Sequence, residues 1–125
     1  MTKGKRRETT EVLEVRETDS LVVHHTIRLK VVRGPGSGKI IELKSKPVLA
    51  GRADEVDLYL DDPAASRKHF EVAPERGEFI LRDLGSTNGT RLNKVPMLEC
   101  RLSNGDIISV GQIDVAFIEE LEVKA

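Results

Sequence analysis

Residues 66–90 read SRKHFEVAPERGEFILRDLGSTNGT, and this stretch decides the fold. It contains two short runs rich in apolar residues, 69–73 and 78–83, and we predict that each run is a β-strand. Polar or glycine-rich segments at residues 66–69 and 85–90 flank the two runs. A rigid sheet uses its own residues for packing, so binding side chains concentrate on loops of this kind. The stretch therefore predicts strands that hold two donor-rich loops.

Short strands separated by turns continue on both sides of this stretch. Ile27, Leu29 and Val31 alternate with basic residues, which is the two-residue period of a half-buried strand. Asn88-Gly89 is a dipeptide preferred in tight hairpins, and we interpret it as one. No sustained helical period occurs between residues 27 and 119. The other predicted strands are residues 40–43, 48–50, 58–60, 90–92, 107–110 and 113–119. Together they indicate a β-sandwich.

The composition limits the possible classes of function. The 125-residue chain supports one domain with a real core. Its formal net charge is −1, from 20 Lys and Arg against 21 Asp and Glu, so bulk attraction to nucleic acid or membrane is weak. Cys100 is the single cysteine, which excludes a disulfide framework and a thiolate metal cluster. Because we find no membrane-spanning run and no secretory signal, we predict a reduced, cytoplasmic, soluble protein without a cofactor.

The N-terminal segment differs in composition from the rest. It is basic at residues 3–7 and mixed in charge at residues 8–19, which predicts a flexible tail over residues 1–25. Residues 21–23 are a candidate extra strand at the end of this tail. We predict that the domain covers residues 26–121 and that residues 122–125 are a C-terminal end or the start of a linker.

Two segments resemble catalytic motifs but lack residues that those motifs require. Residues 34–39 read GPGSGK, but Ile40 replaces the hydroxyl of a P-loop and no helix pattern follows, so we interpret them as a hairpin turn. Ser66 and His69 are three residues apart, yet the sequence places no third group to orient the imidazole. The three histidines show no metal-binding spacing. We therefore predict neither a catalytic site nor a metal site.

Four loop motifs, in order, resemble the diagnostic set of the forkhead-associated (FHA) domain. They are Gly51-Arg52, Ser66-Arg67-Lys68-His69, Leu84-Gly85-Ser86-Thr87-Asn88-Gly89-Thr90 and Gly105-Asp106. Accessory positions such as Asp83 and Asn93 match as well, and the resemblance spans about residues 27–118. It implies an all-β, eleven-stranded antiparallel β-sandwich (FHA/SMAD-like) of bacterial type. It also implies a non-enzymatic domain that binds phosphothreonine peptides through loops at one end.

The resemblance assigns binding roles that suit the chemistry of these side chains. Phosphothreonine brings nearly two negative charges and three acceptor oxygens. Arg52 offers a planar fork that matches phosphate, while Ser66 and Thr87 correspond to further phosphate donors. Arg67 falls where the family often adds another donor, and Asn88 where an amide holds the peptide backbone.

Other motif residues are expected to support the site rather than bind. His69 corresponds to the histidine that braces the Ser66 loop, and Gly85 and Ser86 look architectural. Gly51 and Gly89 are expected to allow a positive φ or a close backbone approach.

The implied partner is a phosphothreonine-containing protein or peptide, either a Ser/Thr kinase or its substrate, with no direct nucleic-acid or membrane contact. The alternative is a degenerate scaffold that binds partners without phosphate. Thr9 and Thr10 lie in a Glu-Thr-Thr sequence that some small bacterial FHA proteins carry as a phosphorylated, self-recognising tail; a disordered leader is the other interpretation. The N-terminal sensor of a transcription activator is a further architecture that fits the size.

Overall fold

The computed structural model describes residues 22–124, and its regular elements are all β-strands. The strands are β1 Val22–Arg33, β2 Ile40–Glu42, β3 Val48–Gly51, β4 Leu58–Tyr59, β5 Phe70–Glu75, β6 Glu78–Asp83, β7 Thr90–Leu92, β8 Val95–Met97, β9 Glu99–Arg101, β10 Ile107–Val110 and β11 Ile113–Lys124. One sheet has the order β2-β1-β11-β10-β7-β8, and the other has the order β4-β3-β5-β6-β9. This confirms the predicted eleven-stranded β-sandwich.

The core lies between the two sheets and follows from the two-residue period of the strands. In β5, Phe70 and Val72 are fully buried, while Glu71 between them lies within 3.6 Å of Arg82 on the outer face. Ile108 in β10 is equally buried in the same apolar cluster. Burying one such side chain contributes about 1.5–3 kcal/mol, so this alternation is the main force that joins the sheets.

Two strands were missed by the periodicity argument. β8 contains Pro96, and β9 is the sequence Glu99-Cys100-Arg101, so neither shows an apolar alternation. Each is the last strand of its sheet and pairs with one neighbour, β7 and β6 respectively. A strand at an edge needs fewer apolar residues and tolerates proline, which explains why its sequence carries a weak signal.

The β3–β4 pair is parallel, which departs from the predicted antiparallel arrangement. The chain between these strands folds back on β3: the Asp57 N–H donates to the Leu49 carbonyl at 2.8 Å, and the Leu49 N–H donates to Asp57 Oδ2 at 2.8 Å. These two bonds place the start of β4 beside the middle of β3, so a two-residue parallel strand forms without a helical crossover.

The hairpin predicted at Asn88-Gly89 is wrong. β6 and β7, which this dipeptide separates, belong to different sheets, and only Gly89 of the two residues has a positive φ (85°). The tight two-residue turns lie elsewhere. Arg76-Gly77 joins β5 to β6 and Asn93-Lys94 joins β7 to β8, with φ of 53°, 81°, 52° and 72° respectively. These values are those of the turn type that matches strand twist.

The chain divides into two compact units. Residues 27–119 form one unit, which holds the core and both loops of interest. The described residues of the other unit, 22–26 and 120–124, are the outer ends of β1 and β11. Both strands pass the predicted domain boundaries at residues 26 and 121. Residues 122–124 belong to β11. Thr9, Thr10 and most of the predicted tail lie outside the described residues.

Candidate functional site

The end of β3 and the loop before β5 are joined backbone to backbone. The Arg52 N–H donates to the Ser66 carbonyl at 2.9 Å, and the Ala53 N–H donates to the Arg67 carbonyl at 3.1 Å. Gly51 makes this approach possible, because a Cβ at this position would lie 2.0 Å from the Arg67 oxygen. The motif glycine is therefore required by close approach, and Arg52 emerges directly beside Ser66.

The loop between β6 and β7 is attached to the same place by side chains. The Thr87 N–H donates to Ser66 Oγ at 3.1 Å, and Asn88 Nδ2 donates to the Ala64 carbonyl at 3.0 Å. Since Ser66 Oγ accepts this bond, its own hydrogen stays available for an external acceptor. The Asn88 carbonyl oxygen and its second amide hydrogen also have no partner among the described bonds. Arg52 and Asn88 are exposed, and Ser66 is half-buried.

The arginine side chains lie at the margin of this cluster. Arg52 Nη1 is 3.4 Å from the Asp62 carbonyl, a long contact that orients the guanidinium and leaves most of its five donors exposed. The Arg67 side chain is exposed, and its carbonyl accepts the bond from Ala53. The structure therefore brings Arg52, Ser66, Thr87 and Asn88 together and places Arg67 beside them.

His69 is buried beneath the two loops and is 0% exposed. Its Nδ1 accepts a hydrogen bond from the Ser66 N–H at 2.9 Å, so Nε2 must carry the proton and donate to the Gly89 carbonyl at 2.9 Å. The imidazole thus bonds to the backbone of both loops and has no nitrogen left to activate Ser66 Oγ. This arrangement argues against His69 acting as a general base for a Ser66 nucleophile. His69 instead connects the Ser66 loop to the β6–β7 loop.

Asp83 organises the β6–β7 loop from within. One carboxylate oxygen accepts the Ser86 hydroxyl at 2.6 Å and the Thr90 hydroxyl at 2.7 Å, and the other accepts the Ser86 N–H at 3.0 Å. Burial opposes the charge, yet these hydrogen bonds outweigh it and lower the pKa of Asp83. Ser86 Oγ in turn accepts the Gly89 N–H at 2.9 Å. Both polar groups of Ser86 therefore bond within the loop and fix its shape.

The glycines of this loop adopt a conformation that other residues rarely take. Gly85 has a φ of 73° and Gly89 a φ of 85°. A side chain at either position would meet open space, so the backbone angle, and not crowding, is what requires glycine there.

Asp62 belongs to the accessory positions of the resemblance, Leu60-Asp61-Asp62 before Ser66, but its supporting role was not predicted. Its carboxylate accepts the Gln112 N–H at 2.9 Å and the Ala64 N–H at 2.8 Å, and these bonds lower its pKa, with a further contribution from the charge of Arg52. It joins the site to the turn between β10 and β11. An acidic residue next to a proline gives little signal of this, because Gln112 lies 50 residues further along the chain.

The described residues, 22–124, contain no group of three or more His, Cys, Asp or Glu side chains that could hold a metal ion. Within the same range, the structure has no helix of sufficient length and hydropathy to cross a membrane. The arrangement offers a guanidinium, a hydroxyl and an amide, which is a donor set suited to a tetrahedral oxyanion.

Comparison with known proteins shows the family of this chain. Residues 48–111 match the FHA domain family, and the chain belongs to this family. A glycogen accumulation regulator, GarA, of Mycolicibacterium smegmatis is 40% identical over 90 residues, covering 72% of this chain and 57% of the relative. An oxoglutarate dehydrogenase inhibitor of Corynebacterium diphtheriae is 41% identical over 91 residues, covering 73% and 64%. The chain thus spans less than two thirds of the length of these curated relatives.

Solved structures show the same fold. A structure from a study of phosphothreonine-dependent FHA domain interactions is 31% identical with a TM-score of 0.68, covering 74% of this chain and 95% of its own. The FHA domain of FhaA, solved in complex with the intracellular domain of Rv3910, is 32% identical with a TM-score of 0.67, covering 73% and 98%.

Proposed function

We propose that this chain is a non-enzymatic module that binds phosphothreonine in a partner protein and so mediates phosphorylation-dependent interaction in bacterial Ser/Thr kinase signalling. The observation that carries the proposal is the joining of Arg52, Ser66 and Asn88 by the bonds between their loops. Each side chain keeps donors free for a ligand. The partner is a phosphothreonine-containing protein, either a kinase or a kinase substrate.

Each residue has a defined role in this proposal. Arg52 binds two phosphate oxygens through its fork, and the Ser66 hydroxyl donates to another. Thr87 adds a donor at the rim, and Arg67 contributes charge from its exposed position. Asn88 binds the backbone of the peptide next to the phosphoresidue. His69 acts through the loops and does not touch the ligand.

The relatives support the binding role more than any single pathway. One solved relative comes from a study of phosphothreonine-dependent FHA domain interactions. Another, the FHA domain of FhaA, was solved in complex with the intracellular domain of Rv3910. One curated relative is a regulator of glycogen accumulation, and another is an inhibitor of oxoglutarate dehydrogenase. The transcription-activator architecture and the cytoplasmic location stay predictions.

The proposal is tested by calorimetric titration with three peptides that differ at one residue: phosphothreonine, threonine and phosphoserine. Removing one partner of a charge-assisted hydrogen bond costs about 1.5–3 kcal/mol, so Arg52→Ala should weaken phosphothreonine binding at least tenfold. Arg101→Ala is the matched control and should bind as the wild type does, because it removes an exposed arginine that pairs with Glu78 and lies on β9, the edge strand separated from β3 by two strands. The phosphoserine peptide should bind several-fold more weakly, since one buried methyl contributes about 0.8 kcal/mol.

Equal affinity for phosphorylated and unphosphorylated peptides would favour the rival function, a scaffold that binds partners without phosphate. An equal loss of phosphopeptide affinity in Arg52→Ala and Arg101→Ala would show that the peptide is attracted by positive charge in general and not by this site.

A further inference from the structure

A recess of about 410 Å³ lies on the outer face of the six-stranded sheet. In β10, Ile108 and Val110 are buried in the core, so Ile107 and Ser109, which line the recess, point to the opposite face. None of the residues proposed to bind phosphothreonine lines it. Small-molecule sites usually have volumes of about 300–1,000 Å³, and this recess falls in that range. We call it the basic recess.

The rim of the basic recess carries an excess of positive charge. Three cationic side chains, Arg33, Arg91 and Lys94, line it together with a single carboxylate, Asp114, so its formal charge is +2. The whole chain has a formal net charge of −1, so this excess is a local feature. An anion would therefore be attracted by the cations of the recess and not by the protein as a whole.

The one carboxylate of the recess is already occupied. Asp114 Oδ2 accepts a hydrogen bond from Arg33 Nε at 2.7 Å, and Asp114 Oδ1 accepts the Ser109 hydroxyl at 2.6 Å. The bond from Arg33 and the bond from Ser109 lower the pKa of Asp114, although burial acts in the opposite direction. Arg33 therefore balances the charge of Asp114, and the other two cations carry the excess.

Arg91 and Lys94 keep donors for an external anion. Arg91 Nη2 donates to the Gly111 carbonyl, a neutral acceptor, at 3.2 Å, and the other N–H groups of its guanidinium have no partner among the described bonds. The Lys94 side chain is exposed, and its ammonium has no hydrogen bond or ion pair within residues 22–124. Two cationic groups are thus available at one side of the recess.

The floor of the basic recess is apolar or already hydrogen-bonded. Ile107 is half-buried there, and Ser109 is 6% exposed, with its hydroxyl bonded to Asp114. The Asn93 side chain accepts the Ile107 N–H at 2.9 Å and donates to Asp106 at 3.0 Å. The methylene stems of the arginine and lysine side chains add apolar surface. The recess therefore offers free cationic donors beside an apolar floor.

We infer that the basic recess binds a small organic anion with two negative charges and an apolar body. Its charged oxygens bond to Arg91 and Lys94, and its body packs on Ile107. Two negative charges match the excess of +2, and the apolar floor favours an anion with a body over a bare ion. A phosphate monoester and a dicarboxylate both have this chemistry. The inference does not depend on the proposed binding of phosphothreonine.

The test titrates the full chain with four probes and follows its amide NMR signals. Phenyl phosphate and phthalate carry two charges on an aromatic body, inorganic phosphate has the charge alone, and benzyl alcohol has the body alone. Phenyl phosphate, phthalate or both should shift the signals of Lys94, Ile107 and Ser109 in a saturable manner. Inorganic phosphate and benzyl alcohol should bind at least about fivefold more weakly, because each lacks one of the two contributions. The tighter of the two aromatic dianions identifies the oxyanion as phosphate or carboxylate.

Two variants test the cationic side of the recess. Lys94→Asn removes one positive charge, and asparagine tolerates the φ of 72° at this position. It should weaken binding of the aromatic dianion by about fivefold or more, because a charge-assisted hydrogen bond is lost. Lys46→Asn removes the same charge from an exposed residue outside the recess and should bind as the wild type does. Arg91 is less suitable for substitution, because its bond to the Gly111 carbonyl also holds the turn between β10 and β11.

Three results would overturn the inference. They are the lack of a saturable shift with either aromatic dianion, equal affinities of Lys94→Asn and Lys46→Asn for the probe, and shifts confined to Arg52, Ser66 and Thr87. The last result would place the probe in the proposed phosphothreonine site. Failure of the proposed function would leave the test of the recess unchanged, because the probes are titrated without peptide.

Discussion

At the scale of single residues, His69 shows how one side chain couples two loops. In a single tautomer, its Nδ1 accepts from the Ser66 N–H and its Nε2 donates to the Gly89 carbonyl. The side chain is fully buried. Both bonds replace contacts with water that the loop backbones would otherwise need. The side chain therefore supports the site from a fully buried position.

We predict that His69→Ala lowers the free energy of unfolding by about 2–4 kcal/mol, because it leaves a cavity and two unsatisfied backbone groups. Phosphopeptide affinity should fall only through loosening of the loops. Thermal denaturation followed by circular dichroism measures the first effect, and titration at a temperature where the variant is folded measures the second. A structure with His69 in direct contact with bound phosphate would overturn the assignment.

Gly51 gives a second prediction at this scale. In Gly51→Ala the new Cβ would meet the Arg67 carbonyl oxygen at 2.0 Å, and both groups belong to the backbone, so neither can rotate away. We expect a loss of several kcal/mol of stability, or failure to fold. Gly77→Ala is the control: its Cβ meets open space at a φ of 81°, so it should lose only about 1–2 kcal/mol. Equal melting temperatures for the two variants would contradict the close-approach argument.

At the scale of elements, the β6–β7 loop is held by a buried carboxylate. Asp83 ties Ser86 and Thr90 together, and the Ser86 hydroxyl then holds Gly89. The loop between two sheets has no ladder of its own, so side-chain bonds supply the fixed shape that strands obtain from pairing.

This loop predicts a pH dependence of stability. The pKa of Asp83 is lower in the folded state than in the unfolded state, so its stabilisation is complete above the unfolded pKa, about 4, and is lost as the pH falls through the folded pKa. Asp83→Asn should lower the free energy of unfolding by about 1–3 kcal/mol at pH 7, and the difference from wild type should shrink at pH 3. Urea unfolding at both pH values measures it.

Asp62 and Asp114 have pKa values lowered in the same direction, so the wild type alone cannot isolate Asp83. The difference between the wild type and Asp83→Asn isolates it, and exposed Asp54→Asn serves as the control. A difference that stays constant from pH 7 to pH 3 would show that the carboxylate charge is not what holds the loop.

The strands themselves differ in how well the sequence predicts them. β6, β7 and β10 begin and end at the predicted residues, and β6 and β10 each carry a compact apolar run between turns. β8 and β9 do not follow such a pattern, since an edge strand is defined by pairing with one neighbour rather than by burial of alternate residues.

At the scale of the whole molecule, the N-terminal threonines raise the question of self-recognition. Thr9 and Thr10 lie outside the described residues, and their phosphorylation stays a prediction. A phosphothreonine in the same chain would compete with free partners at an effective concentration of roughly 1 mM. For a peptide dissociation constant near 1 µM, tail phosphorylation should then weaken peptide binding by far more than tenfold.

The measurement is titration of the chain before and after treatment with a Ser/Thr kinase, with phosphorylation verified by mass. A Thr9→Ala/Thr10→Ala variant treated in the same way is the control and should keep its affinity. Unchanged affinity and unchanged amide NMR signals of Arg52 and Asn88 after complete phosphorylation would exclude self-recognition.

The all-β class, the positions of most strands and the order of the loop motifs could be predicted from the sequence. These are local properties: a two-residue apolar period, turn-forming glycines and short polar motifs all act over a few neighbouring residues. They also identified Arg52, Ser66 and Asn88 as residues of one proposed site through their resemblance to a family.

How these segments meet could be seen only in the folded structure. The bonds from Arg52 to Ser66 and from Thr87 to Ser66 join residues distant in the chain. They exist because β3, β5 and β6 are neighbours in one sheet, which brings the ends of these strands together. The same long-range pairing places Asn88-Gly89 between two sheets instead of in a hairpin and sets Leu98 beside Asn88. Local patterns cannot specify such contacts, because the contacts depend on strand pairing and burial across the whole domain.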